Sequence, residues 1–479
     1  MKYWKLINGI AVFAAFLWTC TANAPNTAAL IHAEAKASKA SKASETPETE
    51  INAAIFPDKN FREIVVKQAD ADGDGKLSQE EIRNVTKLDI QYPHKESHPW
   101  YGASLSDLYD YPDLEHPYDG VTMDLTGLEQ FENLQQLRLH NMKPENLPLA
   151  RLEKLSFLEI SSAPEMELDV SGAPELTELA VAQTSFTGIR LDQNTKLQHL
   201  RLYHVSAPES VLDLTELTEL ASVTVEGSDL AGIKLGEKPD LTELLAGCGL
   251  REIDLSGCPN LERARLDGNG LKTVDVSRNP KLIWLYLKDN LLTKLDLRQN
   301  PGLDVLDISG NAFTKINSST VRTGKGSVLS FLCAGNLAKC TLLDVSHLGG
   351  LSEVQAPHSA FTKVKIAKNL TTLDISASKL TALDKKTLQA PSKAKLEQLH
   401  CSSGKLKKIN ASHLKNLRQI AAGSNRLTDV NVSGCVKMES CYLDGNPLKK
   451  LTVSSKSGSR QRKQYQKTVK ENGGRLFYK

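Results

Sequence analysis

The sequence predicts a strand-rich repeat solenoid of parallel β-strands with a small α-helical cap at its N-terminus. Three observations predict this fold. A short apolar motif returns about every 21 residues over most of the chain. An acidic loop with helical flanks precedes the first of these repeats. Hydrophobic residues make up 40% of the 479 residues but aromatic residues only 5%, which favours a core of Leu, Val and Ile and excludes a disordered or collagen-like chain.

Residues 1–24 have the pattern of a secretory signal peptide, in which a basic start precedes a short apolar run and a stretch of small residues. The small residues predict cleavage after Ala24. Because Pro25 disfavours a cut directly before it, cleavage as late as residue 35 is the alternative. We therefore expect a secreted or cell-surface protein, with a membrane anchor or lipid attachment at Cys20 as less favoured alternatives. Residues 25–50 are predicted to be a flexible, low-complexity linker, because residues 36–50 lack apolar side chains to bury.

The strongest chemical motif is an acidic loop of twelve residues that begins at Asp70. Its spacing resembles the calcium-binding loop of an EF-hand, in which oxygen ligands at fixed positions surround one hard cation. Residues 51–92 are therefore predicted to form an EF-hand cap that binds Ca²⁺, and a solvated acidic turn is the alternative. The expected ligands are Asp70, Asp72, Asp74, Lys76 through its backbone carbonyl, Ser78 and Glu81.

From residue 128 onward the chain repeats three apolar residues in the spacing LxxLxL. The last member recurs at Leu139, Ile160, Val181 and Leu202, and about 15 such coils follow one another over residues 121–453. Each coil carries a second apolar pair about ten residues later, which leaves little room for a helix. We therefore expect one short strand per coil on one side and a second, narrow parallel sheet on the other side.

The full unit, LxxLxLxxNxLxxLDLSxNPx, resembles bacterial secreted leucine-rich repeat proteins of the short-period kind, including internalin-like surface proteins. The resemblance implies a leucine-rich repeat solenoid, whose apolar ends need capping. The helical segment before the repeats is placed to cap the N-terminal end. Asn269, Asn290 and Asn311 follow their strands, where their amides are expected to bond unpaired backbone groups at the turn.

The variable residues within the strand motif point away from the core, because alternate strand residues point to opposite faces. They form a mixed surface without a row of one charge, so a protein ligand and a glycan ligand are both open, and solvated strand residues are the alternative. Residues 93–120 hold five of the 26 aromatic residues and either bind a ligand or pack against the cap. The candidate partner-binding residues are Arg138, Arg201, Arg265, Tyr286, His400 and Tyr442, with Trp100 and Tyr101 of the insertion.

The chain shows no catalytic or phosphate-binding motif. Its eight cysteines lack CxxC spacing, and all except Cys20 of the leader are interpreted as buried thiols, with Cys333, Cys401 and Cys441 at inward positions. We therefore predict a non-enzymatic, adhesin-like binding module that is monomeric, with no nucleic-acid partner and no membrane span after signal removal. The alternatives are a structural spacer of the cell envelope held by its basic C-terminus and, less favoured, a hydrolase that uses the 93–120 insertion.

The net charge of +2 conceals opposed regions. Residues 45–133 hold seven basic and 20 acidic residues, whereas residues 315–479 hold 29 basic and nine acidic residues, a net charge of +20. In the basic C-terminal tail, residues 454–479, eight Lys or Arg accompany one Glu. Whether this tail folds as a polar cap or frays is open. It is a candidate for salt-sensitive binding of an anionic cell-wall polymer, and a solvated tail is an equal alternative.

Overall fold

The computed structural model describes residues 48–91 and 121–479. Within them the chain winds into stacked coils, and each coil adds one strand to a 16-stranded parallel sheet, hereafter the long sheet. The predicted strand-rich parallel solenoid is therefore confirmed. In chain order the long sheet consists of β1 (Lys87–Gln91), β2 (Gln136–His140), β3 (Phe157–Ser161), β4 (Glu178–Ala182), β5 (His199–Tyr203), β6 (Ser222–Glu226), β7 (Glu243–Gly247), β8 (Arg263–Arg265), β9 (Trp284–Tyr286), β10 (Val305–Asp307), β11 (Phe331–Cys333), β12 (Glu353–Gln355), β13 (Thr372–Asp374), β14 (Gln398–His400), β15 (Gln419–Ala421) and β16 (Ser440–Tyr442).

The opposite side of the coils, hereafter the second face, carries short parallel strands, as the second apolar pair of each repeat predicts. Four two-stranded pairs come first along the chain, namely Thr122–Asp124 with Lys143–Glu145, Met166–Asp169 with Phe186–Arg190, Ser206–Asp213 with Asp229–Lys234, and Leu295–Leu297 with Val321–Thr323. A four-stranded sheet follows, formed by Lys315–Ile316, Leu342–Asp344, Lys363–Lys365 and Leu388–Gln389. A five-stranded sheet ends the chain, formed by Ala382–Leu383, Lys408–Asn410, Asp429–Asn431, Lys450–Val453 and Arg475–Tyr478.

The core lies between these two faces and is continuous from coil to coil. In β2 the flanking Leu137 and Leu139 are fully buried while Arg138 between them is partly exposed, which is the alternation a half-buried strand requires. Leu137 lies in register with Leu158 of the next coil, and Leu158 with Leu179 of the one after. Each coil therefore covers the apolar face of its neighbour, and no coil could bury that face alone.

A ladder of buried asparagines closes the turn after successive long-sheet strands. Asn290 accepts a hydrogen bond from the Leu271 backbone N–H at 3.0 Å and donates to the carbonyl oxygens of Leu266 at 2.8 Å and Leu287 at 3.1 Å. Asn269 and Asn311 make the same set of contacts one coil away on either side. The role predicted for these three amides, bonding backbone groups that the turn leaves unpaired, is confirmed.

A second ladder runs along the other turn of the coils. Asn279 donates to the carbonyl oxygens of Leu255 at 2.9 Å and Cys258 at 2.8 Å, in the coil before it. The same position is held by Cys258 and, one coil earlier, by Lys238, which is fully buried. The Lys238 ammonium donates to two backbone carbonyls, at 3.0 and 3.3 Å, and burial lowers the pKa of this lysine.

The coils are not all of one length, and this corrects the assignment of Cys333. Val305 is in register with Phe331, 26 residues on, so this coil has extra residues that displace the motif by one position. Cys333 consequently lies in register with Asp307 and points away from the core, half-buried, rather than inward. Cys401 and Cys441, by contrast, are buried as predicted.

Two helices precede the first repeat. α1 (Lys59–Gln68) and α2 (Gln79–Asn84) flank the acidic loop, and α1 packs on β1. The ring of Phe56 lies between Phe61 of α1 and Phe131 of the first repeat, with ring centroids 5.7 and 6.4 Å apart. Because these rings are fully buried, the helical segment and the solenoid share one core.

The C-terminal segment is folded as a cap rather than frayed. α3 (Ser459–Glu471) packs against the last long-sheet strand and buries Tyr465 and Val469. The chain then returns as the strand Arg475–Tyr478, which pairs in parallel with Lys450–Val453. Among the described helices none is long and apolar enough to cross a membrane.

Candidate metal loop and partner-binding face

The acidic loop is held between two capped helices. The Asp58 carboxylate accepts hydrogen bonds from the backbone N–H groups of Asn60 and Phe61, at 2.7 and 3.0 Å, and so fixes the start of α1. Ser78 caps α2, and Glu81 completes a capping box by accepting from the Ser78 backbone N–H at 2.8 Å. The loop therefore begins and ends at fixed positions.

Three carboxylates converge inside this loop. One oxygen each of Asp70, Asp72 and Asp74 lies within 4.8 Å of the other two. Backbone N–H groups hold them in place, since Asp70 accepts from Gly73 at 2.7 Å and from Gly75 at 3.0 Å. Both glycines have positive φ, of 75° and 82°, which permits the tight turn around the carboxylates.

No cation balances these three carboxylates in the part of the chain that the structure describes. The Lys76 ammonium turns away to Glu48 at 3.1 Å and Glu50 at 3.6 Å. Glu81 reaches back across the loop and accepts from the Ala71 N–H at 2.8 Å. Burial alone raises the pKa of Glu81, but its hydrogen bonds from Ser78, Ala71 and Asp72 outweigh burial and lower that pKa below its usual value, so the carboxylate is ionised. Three clustered carboxylates, with Glu81 reaching back to the start of the loop, fit a hard divalent cation.

The six candidate binding residues of the solenoid lie in one central row of the long sheet. The register of the strands places Arg138, Arg201, Arg265, Tyr286, His400 and Tyr442 at equivalent positions. The arginines are paired on the sheet itself: Arg138 with Glu159 at 3.2 Å, Arg201 with Glu178, and Arg265 with Glu226 at 3.5 Å. Trp100 and Tyr101 lie outside the described residues, with the rest of the 93–120 insertion.

An apolar row crosses the middle of the same face beside Tyr286. Trp284, Val305 and Phe331 are in register on β9, β10 and β11 and precede the buried leucines of these strands, so their side chains point away from the core. Only 5% of Val305 and 6% of Phe331 is exposed to solvent, although both side chains face away from the core. The Arg263 guanidinium lies 4.9 Å from the centre of the Trp284 ring.

Two half-buried carboxylates lie beside this apolar row. Burial raises the pKa of Asp267 and of Asp307, although Arg265 opposes the shift at Asp267 and hydrogen bonds from Ser309 oppose it at Asp307. Burial also raises the pKa of Tyr286 between them to about 12. Reasoning from the repeat motif did not identify this patch, because Phe331 joins it only through the 26-residue coil. The recurrence of Trp284 and Val305 at a spacing of 21 was the available signal.

The comparisons with known proteins agree with this architecture. No model of a protein family and no curated protein matches the sequence. Among solved structures, the functional domain of InlJ from Listeria monocytogenes, which includes a cysteine ladder, is similar at 21% identity and a TM-score of 0.54, over 85% of this chain and 82% of that one. A leucine-rich repeat protein of Leptospira interrogans matches at 18% identity and a TM-score of 0.49, over 78% of this chain and 98% of that one. An internalin of Listeria monocytogenes matches at 18% identity and a TM-score of 0.38, over 85% of this chain and 94% of that one. The first of these similarities shows that the chain has a leucine-rich repeat fold.

Proposed function

We propose that this protein is a non-enzymatic binding module that engages a protein partner through the long sheet. The observation that carries this proposal is the pair of partly exposed aromatic side chains on β9, Trp284 and Tyr286, which lies at the centre of a polar sheet and is backed by the buried Val305 and Phe331. Binding energy at protein interfaces concentrates in central aromatic and arginine side chains surrounded by polar contacts. The paired arginines and half-buried carboxylates around the row supply such a rim.

Substitution at the row tests this proposal. The full chain is screened against a panel of extracellular proteins and glycans, and each ligand found is titrated against Trp284→Ala and Tyr286→Ala. We expect each substitution to weaken binding by about 2 kcal/mol, roughly 30-fold. Lys272→Ala, at an exposed site outside the strands of the long sheet, is the matched control. Ligands that bind both aromatic variants as tightly as the control variant would refute the assignment of this face.

We also propose that the acidic loop holds one Ca²⁺, with Asp70, Asp72, Asp74, Ser78, Glu81 and the carbonyl of Lys76 as its ligands. The support is the cluster of three carboxylates that no described cation balances, together with the ionised Glu81. A bound divalent cation supplies positive charge there and ties α1 to α2. Since both helices share the core of the first coil, the metal would stabilise the N-terminal end of the solenoid. Calorimetric titration of Ca²⁺ into the chelator-treated protein tests the site directly. The comparison variant is Asp72→Asn, which removes the negative charge of one ligand.

The signal-like residues 1–24 support an exported, surface-exposed protein. The second candidate function, a structural spacer of the cell envelope held by its basic C-terminus, is favoured by the rigidity and length of the array. Sixteen parallel strands at ~4.8 Å per strand span about 70 Å. A spacer tolerates substitution along the long sheet, whereas a binding module does not, so the Trp284 variant also separates these two functions.

A further inference from the structure

The C-terminal half of the solenoid carries positive charge that the protein itself leaves unbalanced. Residues 315–479 have a net charge of +20. Among the cations of this region whose side chains the structure describes, ion pairs with described carboxylates involve only Arg322, Lys365, Arg418 and Lys467. In contrast, Arg138, Arg201 and Arg263 of the N-terminal coils pair with glutamates on neighbouring strands of the long sheet. Uncompensated charge of this size disfavours the compact state and attracts anions.

The register of the second face orders part of this charge into rows along the solenoid axis. Lys315 and Lys363 are both exposed and stand on either side of Leu342, in register. In the next sheet, Lys408 and Lys450 stand on either side of Asp429, and Arg475 continues the row on the terminal strand. Neighbouring strands are ~4.8 Å apart, so cations recur about every 10 Å along each row.

A cleft lies on the same face beside the strand Lys363–Lys365. It has a volume of about 310 Å³, and its lining includes the side chains of Lys365, Lys368, Ser346 and Gln389. Lys365 is held at 2.9 Å from Asp344, whereas Lys368 is exposed. The cleft thus combines a cationic rim with one hydroxyl and one amide, which are groups that bond both carboxylates and sugar hydroxyls.

We propose that the second face from Lys315 to Arg475 binds a linear acidic polysaccharide that lies along the solenoid axis. This inference stands apart from the proposed function, because the residues that carry it are on the opposite side of the coils from Trp284. The proposed occupant is a polymer whose carboxylate or sulfate groups meet the lysine rows and whose hydroxyl groups meet the cleft.

The composition of this face favours a polysaccharide over a nucleic acid. Cations in residues 315–479 are 23 Lys and six Arg, and lysine binds as a point charge without the bidentate geometry that arginine brings to phosphates and bases. Between residues 315 and 453 no Phe, Tyr or Trp side chain is exposed on the second face, so the stacking platforms typical of single-strand binding are missing there. The exposed Phe477 and Tyr478 stand at the terminal strand, each 5.3 Å from a basic side chain.

The test is a titration of the full chain with polygalacturonate, neutral dextran and oligo(dT) at several salt concentrations. We expect binding to polygalacturonate that weakens as salt rises and no binding to dextran. The variant Lys315→Glu, Lys363→Glu, Lys408→Glu should lose about tenfold or more in affinity, and its circular dichroism and melting should match the parent. The matched control, Lys272→Glu, Lys281→Glu, Lys294→Glu, changes the net charge equally in the preceding coils, where these lysines are also exposed.

Three results would overturn the proposal. Equal losses in the two triple variants would mean that net charge alone attracts the polymer. Tighter binding of oligo(dT) than of polygalacturonate would assign the face to nucleic acid. An absence of polygalacturonate binding at low salt would show that the second face does not bind an acidic polysaccharide. Trp284→Ala should leave polygalacturonate binding unchanged, so that failure of the long-sheet function and failure of this inference are distinguished.

Discussion

Asn290 offers a quantitative test of the ladder that closes the long-sheet turns. The Asn290→Ala substitution removes the acceptor of the Leu271 N–H, for which the structure shows no other partner. The carbonyls of Leu266 and Leu287 lose one donor each but keep the amides of Asn269 and Asn311. One orphaned buried N–H costs about 1–3 kcal/mol and each of the two weakened hydrogen bonds about 0.5 kcal/mol, so the free energy of unfolding should fall by about 2–4 kcal/mol.

Guanidinium unfolding followed by circular dichroism measures this loss, and hydrogen exchange locates it. The Leu271 amide should exchange roughly 30- to 1000-fold faster in the variant, as the same free energy requires. Asn369→Ala is the matched control, because the exposed Asn369 side chain makes one hydrogen bond, to the Gly349 carbonyl at 2.8 Å. If Asn290→Ala destabilised the protein no more than Asn369→Ala, the ladder would not be a source of stability and the reasoning would fail.

Three further predictions concern the cap, the thiols and the buried lysine. Chelation of Ca²⁺ and Asp70→Ala should each lower the melting temperature. At a dissociation constant near 10⁻⁴ M, 1 mM Ca²⁺ contributes about 1–2 kcal/mol to the free energy of unfolding. Identical melting curves with calcium and with chelator would contradict the metal site. Burial raises the pKa of Cys248 to about 12 and of Cys258 to about 11. Both thiols therefore stabilise the fold fully below pH ~8.5, the pKa of a free thiol. This stability is lost as the pH rises toward the raised pKa values, by up to about 1.4 kcal/mol per pH unit and thiol. Urea midpoints at pH 7.5 and 9.5 measure the loss, and Cys258→Asn should make it smaller. Lys238→Asn should raise the free energy of unfolding at pH 7 by about 1–2 kcal/mol, since it replaces a buried ammonium with the amide that Asn279 and Asn300 supply at the same position. A lower urea midpoint would count against that account.

Much of the architecture can be predicted from the local periodicity of the sequence, and the predictions fail where that periodicity breaks. The inward Leu137 and Leu139, the ladder amide of Asn290 and the two helices around the acidic loop all follow from spacing along the chain. Cys333 was misplaced because the coil that ends at Phe331 advances by 26 residues instead of about 21. The coil that ends at Gln398 is equally long, and on the second face each of these two coils carries two short strands that pair with different neighbours.

The folded C-terminal cap and the central apolar row were not predictable in the same way. Residues 454–479 lack the repeat, and their cap depends on Tyr465 meeting an apolar end that only the stacked coils create. Trp284 and Phe331 stand 47 residues apart and meet only when the long sheet brings β9 and β11 beside β10. Partner-binding residues could therefore be assigned to a row from the motif alone, but not to a patch within it.

The helices at the two ends of the long sheet have a further consequence for the size of the assembly. A parallel sheet built from similar coils has no intrinsic end, because its last strand offers the same unpaired backbone groups that its first strand could accept from another copy. α1 lies against β1 at one edge and α3 against β16 at the other. Loss of either cap would leave an edge open to head-to-tail growth, and copies would add to one another as filaments. The helices that contribute least to the repeat are thus the elements that keep its length finite.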